Sequence, residues 1–328
     1  MKKKDKVPFS KDVLFIDDIH AECYRIVDKL REDVSQNLKR FGGVVGISGG
    51  IDSAVCMALA VKALGAENVL GIMLPEQDSS GDSAVFAQNL ADKFGVKAIT
   101  EDITGVLLGY GCYERRDEAA KKVIPEYDPS QDKMKISIKS FGLFTNLPPL
   151  FSLTIVDREG NEKSKRLPAA ELRQIEAASN LKQRTRMSML YYHAETLHYA
   201  VIGTPNKHEV EQGFFVKHGD GGADVMPIAH LYKTQVYQLA DYLGIPQEII
   251  DRTPTTDTYS AEQTQEEFFY QVPYEQMDLL WFAYQNSYAA EEVAEVLGRK
   301  AEEIERVFAS FERKVKTTDY LRMSPLTY

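Results

Sequence analysis

Cysteine is scarce in this sequence. The 328 residues include three cysteines, Cys23, Cys56 and Cys112, which lie far apart and form no Cys-x-x-Cys pair. This count argues against a disulfide scaffold and against a zinc site built on cysteine. It suits a reducing cytosol, so we expect a cytoplasmic protein.

Long apolar runs and an excess of basic charge are also absent. The chain begins with a basic stretch, MKKKDKVPFSKDVLF, but no apolar run of signal-peptide length follows, and no later run is long enough to span a bilayer. The 49 Asp and Glu residues outnumber the 39 Lys and Arg residues, which gives a net charge of -10. We therefore expect no membrane partner and disfavour nucleic acid, while a local basic pocket for phosphates stays compatible with this balance.

Strand and helix patterns alternate over much of the chain. Short buried apolar runs predict parallel strands, and apolar residues at helical spacing predict the helices between them. This order predicts an α/β fold with a Rossmann-like parallel sheet and helices on both faces. The predicted strands cover 44–48, 69–75, 96–100 and 199–203, and the predicted helices cover 17–40, 53–64, 81–95, 181–198 and 232–244.

The alternation is interrupted between residues 113 and 179. The alternating segments KISIKS and SLTIVD and a turn signal at 158–161 predict an inserted β-ribbon or small antiparallel sheet. A surface elaboration or dimer contact is the favoured interpretation, and a docking site or lid that alters substrate choice is the alternative. Helical patterns predict a C-terminal extension over 287–315, so we expect one domain over 1–328 that carries this β-rich insertion and a helical C-terminus.

The strongest chemical signal is the loop Ser48-Gly49-Gly50-Ile51-Asp52-Ser53, between a predicted strand and a helix. Glycines let backbone N–H groups approach phosphate, the helix N-terminus adds positive charge, and Ser48 and Ser53 offer hydroxyls. Asp52 would repel phosphate unless a cation lies between them, so it implies Mg²⁺. A plain strand-to-helix turn is the alternative, since the loop matches neither the Walker A nor the dinucleotide pattern.

The loop resembles the pyrophosphate-binding loop of the N-type ATP pyrophosphatases, which cleave ATP between the α- and β-phosphates. Segments in the second half of the chain resemble ammonia-dependent NAD⁺ synthetases in particular. This resemblance implies a ligase that amidates nicotinate adenine dinucleotide (deamido-NAD) to NAD⁺ with ammonia, through an acyl-adenylate, with ATP as co-substrate. The segments are NLKQRTRM (180–187), GTPNKHE (203–209), FFVKHGDGGAD (214–224), LYKTQV (231–236) and TPT (253–255).

The resemblance also implies roles for individual residues. Asp52 and Glu209 would hold Mg²⁺, Lys233 would neutralise the departing pyrophosphate, and Asp220 would receive a proton from ammonium. Catalysis is thus assigned to Asp52, Lys233 and Asp220. The implied ATP-binding residues are Gly46, Ser48, Gly49, Gly50, Ile51, Asp52, Ser53, Thr204, Lys233 and Thr255, and the implied substrate-binding residues are Arg184, Arg186, Lys217, Asp224 and Arg322.

Taken singly, several of these residues have simpler interpretations. Glu209 alone would be a solvated glutamate at a helix start, Lys233 a surface lysine, and Asp220 a loop cap. The stretch 320–325 keeps only the arginine of a His-Lys-Arg cluster that the family often carries, and Gln265 stands where the family commonly has Asp.

The partners follow from the same resemblance. The chain has no room for a glutaminase domain, so ammonia would be free or come from a separate glutaminase, and a homodimer would fit the family. Two other functions stay open: an ATP pyrophosphatase that amidates another carboxylate or modifies tRNA, and a nucleotide-binding regulatory protein without turnover.

Overall fold

The computed structural model describes residues 7–79, 81–139, 143–144, 150–253, 259–261, 264 and 271–327. The strands within these residues are β1 (Gly43–Gly46), β2 (Val69–Met73), β3 (Lys97–Thr100), β4 (Lys133–Lys139), β5 (Leu150–Val156), β6 (Glu162–Arg166) and β7 (Ala200–Ile202). The α-helices are α1 (Ile19–Glu32), α2 (Ile51–Leu64), α3 (Gly81–Phe94), α4 (Thr104–Gly109), α5 (Cys112–Val123), α6 (Ala169–Leu197), α7 (Lys207–Gln212), α8 (Lys233–Leu243), α9 (Gln247–Ile250), α10 (Tyr274–Gln285), α11 (Ala290–Leu297) and α12 (Ala301–Arg322).

A four-stranded parallel sheet in the order β3-β2-β1-β7 forms the centre of the fold. From β1 the chain crosses to β2 and β3 on one side, and β7 later adds to the other side of β1. The carboxyl ends of β1 and β7 therefore flank the point where the strand order reverses, which is where open α/β sheets bind ligands. The sheet confirms the predicted parallel α/β fold.

Helices cover both faces of this sheet. Neighbouring residues of a strand point to opposite faces, so Val45 packs in the core with α1, α2 and α8, while Val44 packs in the core with α4, α5 and α6. The helix α2 is almost entirely buried because it is Ala-rich and lies against the sheet on one side and α1 and α8 on the other. Among the described residues, no helix is both long and apolar enough to cross a membrane.

A second, antiparallel sheet of order β4-β5-β6 lies within the predicted insertion. Its buried face, which includes Met134 and Leu153, packs on Ala119 of α5 and Ile175 of α6. The predicted range of 113–179 is too wide for the strands, because α5 occupies its beginning and α6 starts at Ala169 instead of residue 181.

The C-terminal helices form a separate core beside the sheet domain. Trp281 of α10 packs edge-on against Phe311 of α12, at 4.9 Å between ring centroids. Ile304 and Val307 of α12 complete this core together with Phe9 from the start of the described chain. The helical C-terminus was predicted over 287–315, and the structure extends it to Arg322 at its end.

The conformation of the loop after β1 depends on one glycine. Gly49 has a φ of +74°, in the left-handed region, and a Cβ at this position would lie 2.7 Å from the carbonyl oxygen of Ser83. The Oγ of Ser48 accepts from the N–H of Gly50 at 3.3 Å, and the Oγ of Ser53 donates to the carbonyl of Gly50 at 2.9 Å. The two serines thus fix the loop, and α2 begins directly after Gly50 with N–H groups that lack helical acceptors.

We expect Gly49→Ala to destabilise the protein more than Gly95→Ala. Both glycines have positive φ, which costs an alanine roughly 1–2 kcal/mol, but Gly95 has no atom within 4 Å of an added Cβ. The clash with Ser83 should add about 1–3 kcal/mol at Gly49. Urea unfolding of both variants measures the difference, and equal losses would show that backbone strain alone explains the glycine.

Candidate active site

A large cavity opens between the carboxyl ends of β1 and β7. Its volume of about 780 Å³ is within the range of small-molecule sites. Its walls come from the loop after β1, the end of β2, one face of α6 and the segment after β7. Most of the predicted site residues line it: Gly46, Ser48, Gly50, Ile51, Asp52, Ser53, Arg186, Thr204, Glu209, Asp220 and Lys233.

A buried ion pair joins two of these residues across the sequence. Lys233, the first residue of α8, is 4% exposed, and its Nζ donates to a carboxylate oxygen of Asp52 on α2. The other oxygen of Asp52 accepts from the side-chain amide of Asn206 at 3.3 Å. Burial alone would lower the pKa of Lys233, but the carboxylates of Asp52 and Glu209 outweigh it and raise this pKa, so the lysine is charged.

Glu209 is held beside this pair by the cap of α7. Its carboxylate accepts from the N–H of Asn206 at 3.0 Å, while the side chain of Asn206 accepts from the N–H groups of His208 and Glu209 at 3.0 and 3.3 Å. This reciprocal arrangement is a capping box, for which Asn followed three residues later by Glu is the sequence signal. Burial and the nearby charge of Asp52 raise the pKa of Glu209.

Asp220 lies in a tight turn on the cavity wall. Its Oδ1 accepts from the N–H of Val216 at 2.8 Å. The residue is exposed to the cavity, but protein packed around the rest of the carboxyl desolvates it and raises its pKa to about 6, against the N–H of Val216 and the charge of Arg186. Gly221 cannot carry a side chain here, because a Cβ would lie 2.2 Å from the ring of Phe215. The segment is therefore a tight turn that also forms part of the wall.

Two predicted substrate-binding residues are engaged with other parts of the chain. Arg184 is exposed, and its Nε donates to the carbonyl of Lys217 at 3.3 Å. The Nζ of Lys217 donates to the carbonyls of Tyr320 and Met323, each at 2.8 Å. Lys217 thus holds the end of α12 against the turn, and neither residue lines the cavity as the structure describes it.

Two more of the five predicted substrate-binding residues, Asp224 and Arg322, also lie away from the cavity walls formed by the described residues, whereas Arg186 lines the cavity. Asp224 accepts from the N–H of Val201 at 2.8 Å and from the hydroxyl of Tyr191 at 3.1 Å, so it joins β7 to α6. Arg322 donates to the carbonyl of Val210 at 3.2 Å and thereby fastens α12 to α7. Substrate contact by these residues stays a prediction, and Thr255 lies outside the described residues.

Several wall residues were not found from the sequence. The face of α6 presents Glu176, Ser179 and Gln183 to the cavity beside the predicted Arg186, at spacings of three and four residues that could have revealed them. The hydroxyl of Ser179 is buried without a hydrogen-bond partner in the described structure. Arg252 has no comparable sequence signal, and it donates to Gly49 and Ser83 at 3.5 and 3.0 Å.

The insertion contributes to the cavity as well. Ile138 of β4 and Phe151 of β5 lie on its wall, next to Tyr259. This placement differs from the favoured interpretation of the insertion as a surface elaboration. Ile138 and Phe151 reach the cavity because the second sheet packs on α5 and α6, which lie beside the end of β2.

A buried charge network fixes that junction. Lys182 of α6 is 1% exposed and donates to Glu76 at 3.0 Å and to Asp78 at 2.7 Å, both in the segment after β2. Arg116 of α5 also donates to Asp78, and the hydroxyl of Tyr113 donates to Glu76 at 2.7 Å. Burial alone would raise the pKa of Asp78, but the two cations lower it, so its carboxylate stays ionised.

Comparisons with known proteins agree with the resemblance. The family model of NAD synthase matches residues 22–137 and 157–324. The NH3-dependent NAD⁺ synthetase of Rhizobium meliloti (strain 1021) is 47% identical over 323 residues, which cover 98% of this chain and 95% of the relative. That of Methanocaldococcus jannaschii is 30% identical over 305 residues, which cover 92% and 95%.

Solved structures agree in fold. The NH3-dependent NAD synthetase from Campylobacter jejuni has a TM-score of 0.61 at 20% identity, over 95% of this chain and 100% of that chain. The two segments matched by the family model together carry the loop after β1, the capping box of α7 and the start of α8. This chain belongs to the NAD synthase family.

Proposed function

We propose that the protein amidates deamido-NAD to NAD⁺, with ATP and ammonia as co-substrates and AMP and pyrophosphate as the other products. The observation that carries this proposal is the Asp52–Lys233 pair with Glu209 beside the glycine loop, in a cavity large enough for substrates. Family membership and the names of the relatives, NH3-dependent NAD⁺ synthetases, support the choice of acceptor and nitrogen source.

The first step is adenylylation of the substrate carboxylate. The nicotinate oxygen forms a bond to the α-phosphorus of ATP, and the bond from that phosphorus to the bridging oxygen breaks. The departing pyrophosphate carries the increase in negative charge. The buried ammonium of Lys233 and the N–H groups at the start of α2 stabilise that charge.

The residues around Lys233 also fit a magnesium ion. Asp52 and Glu209 offer carboxylate oxygens. Burial and, after it, the charge of Asp52 raise the pKa of Glu209, and a cation relieves repulsion of this kind. The described residues include no group of three or more His, Cys, Asp or Glu side chains that could hold a metal. Mg²⁺ would therefore take its remaining ligands from ATP and water, and when bound it would neutralise charge on the phosphates.

The second step is attack by ammonia on the acyl-adenylate. A carbon–nitrogen bond forms, the bond from the carbonyl carbon to the AMP oxygen breaks, and the attacking nitrogen loses one proton to water, which leaves the carboxamide and AMP. Ammonia attacks only in its neutral form, so a base that takes a proton from ammonium assists the step. The position of Asp220 on the cavity wall supports this role, and its raised pKa makes it a better base than an ordinary aspartate.

The decisive experiment measures pyrophosphate release from ATP, Mg²⁺ and ammonium, with and without deamido-NAD. We expect release to require the dinucleotide and to match the formation of NAD⁺ and AMP. Lys233→Ala should lower the rate by about a hundredfold or more, because it removes the cation that stabilises pyrophosphate. Lys316→Ala, at an exposed lysine that pairs with Glu312 on α12, is the control and should keep the wild-type rate.

Other outcomes separate the alternatives. If pyrophosphate release requires another carboxylate or a tRNA, the proposed cleavage of ATP is right but deamido-NAD is not the acceptor. If no acceptor supports release, the enzyme proposal is wrong and a regulatory nucleotide-binding protein becomes the better description.

The pH dependence tests Asp220. Its carboxyl, with a pKa of about 6, holds a proton below that pH and cannot accept one from ammonium. At a constant concentration of ammonium, the form that would give its proton to Asp220, we expect the NAD⁺-forming rate of the wild type to fall as the pH drops through about 6. Asp220→Asn should be slower above pH 6 and lose this fall, and an unchanged profile in the variant would remove Asp220 from the mechanism.

We also propose that the protein is a cytoplasmic homodimer that takes free ammonia or ammonia from a separate glutaminase. All three thiols are buried and unpaired by disulfides, which suits a reducing compartment. Exposed apolar side chains cluster on α4 and the adjoining α6, where Leu108, Tyr110 and Tyr192 are more than half exposed. Arg184 and Asp224 lie outside the cavity of their own subunit, and in a dimer through this surface they would contact the substrate bound to the partner subunit.

Sedimentation equilibrium tests the dimer. We expect a dimer for the wild type and a monomer for Leu108→Glu, because a buried charge at the contact is unfavourable. Phe15→Glu adds the same charge at another exposed apolar residue and should stay dimeric. A monomeric wild type would overturn the proposal.

A further inference from the structure

A buried carboxylate caps the helix that carries Lys233. Asp278 of α10 is fully buried, and its Oδ2 accepts from the N–H of Thr234 at 2.7 Å while its Oδ1 accepts from the N–H of Lys233 at 3.3 Å. These are the first two N–H groups of α8, which have no acceptors within the helix. Asp278 therefore serves as the N-terminal cap of α8 from a different helix, and its charge also suits the positive end of the helix.

The same carboxylate contacts α7 through His208. Oδ1 of Asp278 lies 2.5 Å from Nε2 of His208, whose side chain is also buried. A chain of hydrogen bonds decides which ring nitrogen of His208 carries the hydrogen. The Nζ of Lys314 donates to the Oε1 of Gln212 at 3.2 Å, and the amide nitrogen of Gln212 then donates to Nδ1 of His208 at 2.9 Å. Nε2 consequently carries the hydrogen and donates it to Asp278.

Asp278 thus joins the starts of two helices that both supply charge to the candidate active site. His208 directly precedes Glu209 on α7, and Lys233 opens α8. Both Glu209 and Lys233 act on Asp52, which belongs to a third helix. A shift at the start of either helix would change the distance between the lysine and the carboxylates.

We propose that Asp278 is a positioning residue, which holds the starts of α7 and α8 together and so aims Lys233 and Glu209 at the pyrophosphate-releasing centre. Asp278 is not among the described residues that line the cavity, so it acts through Lys233 and not on the substrate. This inference rests on the proposed function for its kinetic part. Its structural part, the order at the start of α8, is independent of the substrate.

The test compares Asp278→Asn with Glu211→Gln. Asparagine keeps the shape of Asp278 but turns one acceptor into a donor, which leaves an N–H of α8 or the His208 ring without its acceptor. Glu211 also joins α7 to α10, through Trp281 and Gln285 at 2.6 Å each, but it makes no hydrogen bond to α8 among those the structure shows. Both variants weaken the contact between α7 and α10. Only Asp278→Asn also removes an acceptor at the start of α8, where Lys233 lies.

We expect Asp278→Asn to lower kcat for dinucleotide-dependent pyrophosphate release by about a hundredfold, while the KM for ATP changes by less than about threefold. Glu211→Gln should retain kcat within about twofold. His208→Ala removes the other partner of the carboxylate and should lower kcat in the same direction, by about tenfold. This variant carries the test if Asp278→Asn does not fold. Equal losses of kcat in Asp278→Asn and Glu211→Gln would overturn the proposal.

A double-mutant cycle decides whether Asp278 acts through Lys233. In a Lys233→Ala background, Asp278→Asn should cause a clearly smaller loss than in the wild type, because one of the two groups that it positions is already gone. Independent losses that multiply would mean that Asp278 affects the reaction by another route, and this result would contradict the proposal.

Hydrogen exchange separates this proposal from the proposed function. If the wild type makes no NAD⁺, the assignment of the reaction fails, but the exchange rates of the amides of Lys233 and Thr234 can still be compared. Asp278→Asn should accelerate exchange at the start of α8 by at least about tenfold, and Glu211→Gln should not. Unchanged exchange in Asp278→Asn would overturn the proposal whatever the substrate is.

Discussion

The ion pair between Lys233 and Asp52 is the constraint around which the site is organised. A lysine that is 4% exposed would be costly in its charged form without a partner, and Asp52 provides that partner from a helix 181 residues earlier in the chain. The pair requires the starts of α2 and α8 to meet, and Glu209 requires the start of α7 to meet them. Three helix N-termini therefore converge on one volume, where each favours negative charge.

The order of strands makes this convergence possible. Because β7 pairs with β1 in parallel, the segment after each strand emerges at the same edge of the sheet. The glycine loop and the capping box of α7, which are about 150 residues apart, are thus neighbours in space. The segment between them in the sequence contains the second sheet and α6, and residues of both line the same cavity.

Local signals predicted the sheet and the loop, because each of them depends on a few adjacent residues. The capping box of α7 has an equally local signal, Asn206 followed three residues later by Glu209, but it was not predicted. Contacts between side chains far apart in the sequence could not be predicted from local patterns. Nothing near Lys233 indicated that Asp52 would be its partner, and the tertiary position of Arg252 left no pattern. The start of α6 was misplaced because its first turns, AAELRQIEAA, follow a segment of strand-like alternation. The packing of Ile138 against the cavity likewise depends on how two sheets lie relative to each other.

The charge network at the end of β2 limits how this enzyme could be shortened. Arg116 on α5 and Lys182 on α6 both neutralise Asp78, so the sheet domain and the helices that flank the second sheet share one set of buried charges. A deletion that removes α5 together with the second sheet would also remove Arg116 and leave the buried Asp78 with Lys182 alone. Loss of one partner from a buried ion pair typically costs about 3–5 kcal/mol. A truncated enzyme would have to trim the strands and retain α5. Trimming the strands would keep these buried charges paired, but it would remove Ile138 and Phe151 from the cavity wall.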